Sequence, residues 1–262
     1  MTPGVNVLLM GAPGTGKTHA LRTLVDAGLE VFIIFTEPGM EVLSDTDPDQ
    51  VHWNYVAPAQ PDWDVMAKNA KLVNQFDNAT LQKLPGMNKQ AYSQFIDVIT
   101  ICADFKCERT GKMYGPIDSF GTDKAFVFDS LSGLNIMCLD LVVGGKPIRT
   151  LPDWGIAMDN EEKFLNKLCL GTTCHFILCT HIDRQVDEVL GGIKLMVSAL
   201  GSKLGPKVPR FFSDVIMTVQ QAGEFTWSTA SAGADTKARN LPWEDKQNPS
   251  FVPIINQWRK SQ

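Results

Sequence analysis

The chain has 262 residues, 44% hydrophobic and 20% charged, with a formal net charge of −5. This balance fits a folded chain with a substantial core and excludes a globally basic nucleic-acid coat, though not a local cationic groove. The apolar runs are of strand length, well short of the ~20 residues of a membrane-spanning helix. No basic leader is visible in Met1-Thr2-Pro3-Gly4, so a cytoplasmic location without a membrane partner is expected. The six cysteines contain no Cys-x-x-Cys pair and complete no zinc spacing with the four histidines, so buried, reduced thiols are expected.

The first element is a buried strand over residues 5–10. It is followed by Gly11-Ala12-Pro13-Gly14-Thr15-Gly16-Lys17-Thr18 and by a helical pattern from His19 to Ala27 that stops at Gly28. This is G-x-x-x-x-G-K-[ST] in the strand–loop–helix setting its mechanism requires. Glycines let successive backbone N–H groups turn toward phosphate oxygens, Lys17 can reach the β- and γ-phosphates, and the Thr18 hydroxyl can ligate Mg2+. Gly11, Ala12, Pro13, Gly14, Thr15, Gly16, Lys17, Thr18 and His19 are the expected nucleotide contacts. ATP is preferred to GTP because no Asn-Lys-x-Asp signature occurs.

A second apolar strand, Val31 to Phe35, runs into Thr36-Glu37 before Pro38-Gly39. A carboxylate there either faces solvent at a strand end or lies beside the γ-phosphate, where it can orient and deprotonate a water. Spacing alone leaves both readings open. Residues 51–56 alternate as a strand, and residues 62–76 and 89–105 read as helices, with Phe95, Ile99, Cys102 and Phe105 at helical spacing. A polar, Gly-containing loop over 107–123 precedes the strand Ala125-Phe126-Val127-Phe128, which ends in Asp129. At the carboxyl end of a central parallel strand, Asp129 either caps the following helix or holds Mg2+ through water.

Helices are expected over 134–143 and 154–168, followed by a strand over 175–180 that leads to His181. His181 is either a satisfied structural residue or a γ-phosphate contact that reports to the following loop. Residues 193–210 carry Lys194, Lys203, Lys207 and Arg210 and no acid, with Gly201, Gly205, Pro206 and Pro209 between them. They read as a flexible cationic loop, either an ordinary solvated turn or a contact for single-stranded DNA, to which backbone phosphates would supply most of the affinity. Strands over 214–220 and 225–228 follow. Alternating strands and helices imply an α/β fold with a mostly parallel sheet covered on both faces.

The order of phosphate loop, strand ending in Glu37, strand ending in Asp129-Ser130 and strand ending in His181 resembles the RecA-like P-loop ATPase core. The turn Phe35-Thr36-Glu37 resembles the segment bearing that family's catalytic glutamate, and Phe128-Asp129-Ser130-Leu131 resembles its magnesium-binding strand. Lys237 and Arg239 resemble the Lys-x-Arg finger that such proteins insert into a neighbour's nucleotide site. Compact length, the stretch from Cys107 to Gly115 and the ending at 236–241 look most like the small phage-encoded recombination and single-strand annealing ATPases, the Sak group. The resemblance implies one RecA-like domain over 1–241 with a tail over 242–262, and Mg2+-dependent ATP hydrolysis completed across a homo-oligomeric ring or filament. It also implies action on single-stranded DNA in the host cytoplasm, with a single-strand-binding protein as a possible partner. A helicase motor or loader on the same core, a P-loop small-molecule kinase and a slow nucleotide switch are the competing expectations.

Overall fold

In the computed structural model, which describes residues 3–85, 89–186, 191–231 and 233–262, the apolar runs form one seven-stranded sheet. Strand β1 (Asn6–Met10) leads through the glycine-rich loop into two short helices, α1 (Lys17–Ala20) and α2 (Arg22–Asp26), which replace the single expected helix. Strands β2 (Glu30–Phe35) and β3 (Val51–Tyr55) follow, then the peripheral helices α3 (Trp63–Gln75) and α4 (Asn78–Gln82). Asp62 starts α3 by accepting from the Val65 N–H at 2.7 Å, a side-chain N-cap. The helix expected over 89–105 is divided into a 3-10 turn, Lys89–Tyr92, and α5 (Gln94–Ala103).

The second half holds β4 (Lys124–Asp129), α6 (Leu131–Val143), α7 (Leu151–Gly171) and β5 (His175–Thr180). Next come β6 (Ile182–Val186), β7 (Ile193–Val197), α8 (Gly201–Leu204), β8 (Asp214–Gln221), β9 (Glu224–Ser228) and α9 (Val252–Lys260). The sheet order is β3-β2-β4-β5-β1-β8-β9, parallel throughout except for the closing antiparallel pair β8–β9. The α/β architecture expected from the sequence is therefore present. Phe35 pairs with Asp129, Asp129 with Cys179, and Met10 with Thr180. This register brings the ends of four strands to one level at the carboxyl edge, where open α/β sheets bind ligands.

Side chains alternate across the strands. Leu8, Phe32, Phe126 and Phe176 face one core with α5, α6 and α7, while Val7, Ile33, Val127 and Ile177 face the other with α1 and α2. Packing does not stop at 241. Phe251, Ile254 and Ile255 are fully buried in the second core, and the Trp258 indole N–H donates to the Pro3 carbonyl at 3.0 Å. All six cysteines are free thiols, five of them buried.

Residues 193–210 are not the flexible loop expected. Strand β7 pairs with β6 as an antiparallel hairpin, and the Leu195 N–H donates to the Gly233 carbonyl at 2.6 Å. The prolines that argued for irregular backbone sit in a 3-10 turn, Gly205–Phe211, anchored by buried Leu204 and Val208.

Glu161 on α7 is fully buried, and neither of its carboxyl oxygens has a hydrogen-bond partner among the described residues. Burial pushes its pKa up to about 8. An acid with a raised folded-state pKa adds stability below its unfolded value near 4.5, and that stability is lost as pH rises to about 8. Glu161→Gln should therefore flatten this decline, gaining on the order of 3 kcal/mol at pH 8 relative to its effect at pH 4.5, as read by urea melts at both pH values.

Candidate functional site

At the carboxyl edge of the sheet a cleft of about 570 Å3 lies over residues 13–19 and is closed by Glu37, Asp129, His181 and Phe225. Its volume is that of a small-molecule site. Gly16 takes a left-handed conformation (φ 81°), and a Cβ there would meet the Phe225 ring at 3.0 Å. The loop is also pinned from β8. The Thr15 and Thr218 hydroxyls lie 2.6 Å apart, and Thr15 Oγ1 donates to the Ala12 carbonyl at 2.8 Å.

Lys17 is 7% exposed, and its ammonium donates to the carbonyls of Gly11 (2.9 Å) and Ala12 (3.0 Å). Burial lowers its pKa, opposed by the charges of Asp129 and Glu37. Thr18 Oγ1 donates to Asp129 Oδ2 at 2.7 Å, joining the end of the loop to the end of β4. Burial raises the Asp129 pKa, while the Thr18 hydrogen bond and the Lys17 charge oppose that rise. A hydroxyl and a carboxylate side by side form a hard-oxygen pair that suits Mg2+ arriving with a triphosphate, because Mg2+ takes one or two protein oxygens besides phosphates and waters. Among the described residues no cluster of three His, Cys, Asp or Glu side chains could hold a metal by itself.

Glu37 leaves β2 beside Asp129 because Thr36 clips the two strand ends together. The Thr36 hydroxyl donates to the Ser130 carbonyl at 2.6 Å and accepts from the Ser130 N–H at 3.0 Å. Gly133 is required there, since a Cβ would fall 2.4 Å from Thr36 Oγ1. Glu37 Oε2 accepts from His181 Nε2 at 3.1 Å, and this hydrogen bond holds the Glu37 carboxyl below its ordinary range. The other ring nitrogen, His181 Nδ1, is buried without a partner among the described residues. The His181 carbonyl accepts from the Ser198 N–H (3.0 Å), and the Ser198 carbonyl accepts from Asn135 Nδ2 (3.0 Å), so His181 stands at the root of the β6–β7 hairpin.

The structure thus gathers Lys17, Thr18, Glu37, Asp129 and His181 in one cleft. Lys237 and Arg239 lie elsewhere. The Lys237 ammonium donates to the carbonyls of Pro209 (2.9 Å) and Phe212 (3.3 Å), and the Arg239 N–H donates to Asp214 Oδ1 at 2.8 Å. Asp214 pairs with Val7 at the start of β8, four residues of strand from Gly11, or about 13 Å. Of the cations in the 193–210 window, Lys194 pairs with Asp235 at 2.8 Å, while Lys207 (3.3 Å) and Arg210 (2.5 Å) both pair with Glu162. Lys203 is exposed. Thr218 and Phe225 carry no motif, and only the closure of β8–β9 against β1 reveals them.

A family profile described as an AAA domain matches residues 4–240. The chain belongs to the AAA-domain family. Its glycine-rich loop of residues 11–18 lies at the carboxyl edge of the sheet, beside the cleft. Two solved structures are similar at 11% sequence identity. An ATPase from the type III secretion system of pathogenic bacteria has a TM-score of 0.38, over 83% of this chain and 53% of that one. The RadB recombinase has a TM-score of 0.34, over 87% of this chain and 80% of that one. The chain spans about half the length of the secretion ATPase, and both likenesses are too distant to bear on substrate or partner. No curated protein matches the sequence. Among the described residues no helix is long and apolar enough to cross a membrane.

Gly11 tests how tightly the loop is held. Its φ is not left-handed, yet an added Cβ would lie 2.1 Å from Thr218 Oγ1 and 2.6 Å from the Thr218 carbonyl. Gly11→Ala should weaken binding of a fluorescent ATP analogue at least tenfold through this clash, and Gly11→Ala/Thr218→Ala should recover only part of the loss, because the carbonyl contact persists.

Proposed function

We propose that this AAA-domain ATPase hydrolyses ATP with Mg2+ and uses the cycle to act on single-stranded DNA, as a recombination or annealing protein resembling the small phage-encoded RecA-like ATPases. The observation that carries the proposal is the Glu37–His181 hydrogen bond of 3.1 Å, with His181 the last residue before the β6–β7 hairpin. It joins the group best placed to activate water to the start of the β6–β7 hairpin.

In this reading Lys17 binds the β- and γ-phosphates, and Thr18 and Asp129 would hold Mg2+, which supplies charge neutralisation to the transferring phosphoryl group. Glu37 orients the attacking water and takes its proton, a role that needs the ionised carboxylate His181 favours. Phe225, 47% exposed at the cleft, offers the base an apolar face. When the γ-phosphate draws the His181 N–H away from Glu37, the hairpin root at Ser198 feels the change through the His181 carbonyl. Lys17 is the only lysine or arginine lining the cleft among the described residues, so a further cation for the transition state comes from a second copy in a ring or filament.

ATP turnover with and without oligo(dT) tests the DNA part of the reading. Stimulation is expected, whereas phosphorylation of a metabolite with no effect of DNA would turn the assignment to a kinase.

Glu37→Gln should lower turnover by about 100-fold or more while ATP affinity stays within twofold, as followed by phosphate release and nucleotide titration. Loss of the hydrogen bond in His181→Ala lets the Glu37 pKa rise toward its ordinary value. The acidic limb of the kcat/KM profile should then move to higher pH, and an unmoved limb would separate His181 from Glu37.

A further inference from the structure

Helix α9 buries Ile254 and Ile255 and turns Pro253, Asn256, Gln257 and Lys260 outward, the i, i+3, i+4, i+7 spacing of a single face. Opposite this stripe runs the segment from Arg239 to Pro242, and the two enclose a groove of about 490 Å3. Asp214 holds the far wall from beneath. It is fully buried, and its carboxylate accepts from the N–H groups of Arg239 and Asn240 (both 2.8 Å), from Asn240 Nδ2 (2.6 Å) and from Ser213 Oγ (2.9 Å). Its charge is thus committed to four donors, and among the described residues no acidic side chain lines the groove.

Donors dominate what remains. Arg239 and Lys260 carry only donors, and the carboxamides of Asn256 and Gln257 can turn N–H groups inward. From Lys246 to Gln262 the sequence has no Asp or Glu, in a chain of net charge −5. Among the described residues neither Arg239 nor Lys260 forms an ion pair, whereas Lys194, Lys207 and Arg210 all do. Asn256 and Lys260 stand one helical turn apart, about 6 Å along the axis, a spacing that suits successive phosphates of an extended strand.

We infer that this groove binds the phosphodiester backbone of single-stranded nucleic acid, an inference that rests on the nucleic-acid reading above. Arg239 is then a phosphate contact at the amino edge of the sheet, about 13 Å or more from the phosphate loop, so strand and ATP do not compete for one surface. The contact is electrostatic and reads no sequence.

Fluorescence anisotropy of labelled oligo(dT) with the full chain, over a salt series, tests it. Wild type should bind. Arg239→Ala/Lys260→Ala should bind about tenfold or more weakly at low salt, with the log K against log [salt] slope smaller by about 1.4, the loss of two single-strand phosphate contacts. Lys207→Ala/Arg210→Ala should change affinity less. Lys260→Glu, at an exposed position in the last turn of α9, provides a second variant should the double one melt earlier than wild type. If the groove variants bind like wild type while Lys207→Ala/Arg210→Ala loses binding, the groove is overturned and the nucleic-acid reading stands. If wild type binds no oligo(dT), that reading and the groove fail together.

Discussion

Asp129 is the constraint on which the cleft depends. A carboxylate 93% buried at the end of a central strand is costly unless neighbours compensate it, and here Thr18 donates a hydrogen bond while Lys17 lies close enough to favour its charge. Both compensating groups belong to the phosphate loop, so the loop is drawn onto the end of β4 before any ligand binds. The same need fixes Glu37, because the Thr36 hydroxyl spans the gap to Ser130 and sets the two strand ends side by side. The parallel register keeps these groups level across four strands.

Around this cluster the two flanks of the sheet are held by different contacts. The loop rests on Thr218 of β8, and β8 is tied at its other end by Asp214 to the segment that carries Arg239. On the opposite flank, His181 leads into a hairpin that contacts the body through Ser198, Asn135 and Gly233. His181 is thus a direct covalent link from the cleft to the hairpin, whereas the β8 side is held by hydrogen bonds at both ends.

The sequence made the phosphate loop and the three polar strand ends legible because each is a contiguous signal: a glycine pattern, or an apolar run closed by one polar residue. The helix at 62–76 was legible for the same reason, with Asp62 as its cap. The remaining contacts are tertiary. Thr218 and Phe225 reach the loop from more than 200 residues away, and neither residue type in a strand announces a role. The charge count in 193–210 was right, but Glu162 and Asp235 lie outside that window and their pairing with it cannot be counted locally. Gly and Pro suggested loose backbone where buried Leu204 and Val208 hold a compact turn. The resemblance implied a boundary at 241, yet three apolar side chains of 251–255 belong to the second core.

A crystal structure of the chain with a non-hydrolysable ATP analogue and Mg2+ tests the cleft's role most directly. The triphosphate should lie in the loop of residues 11–18, with Lys17 turned from the Gly11 and Ala12 carbonyls to the phosphates and Mg2+ beside Thr18 and Asp129. Glu37 should face the γ-phosphate with the His181 bond broken or lengthened. Nucleotide bound away from this loop, or a γ-phosphate that leaves both Glu37 and His181 untouched, would contradict it.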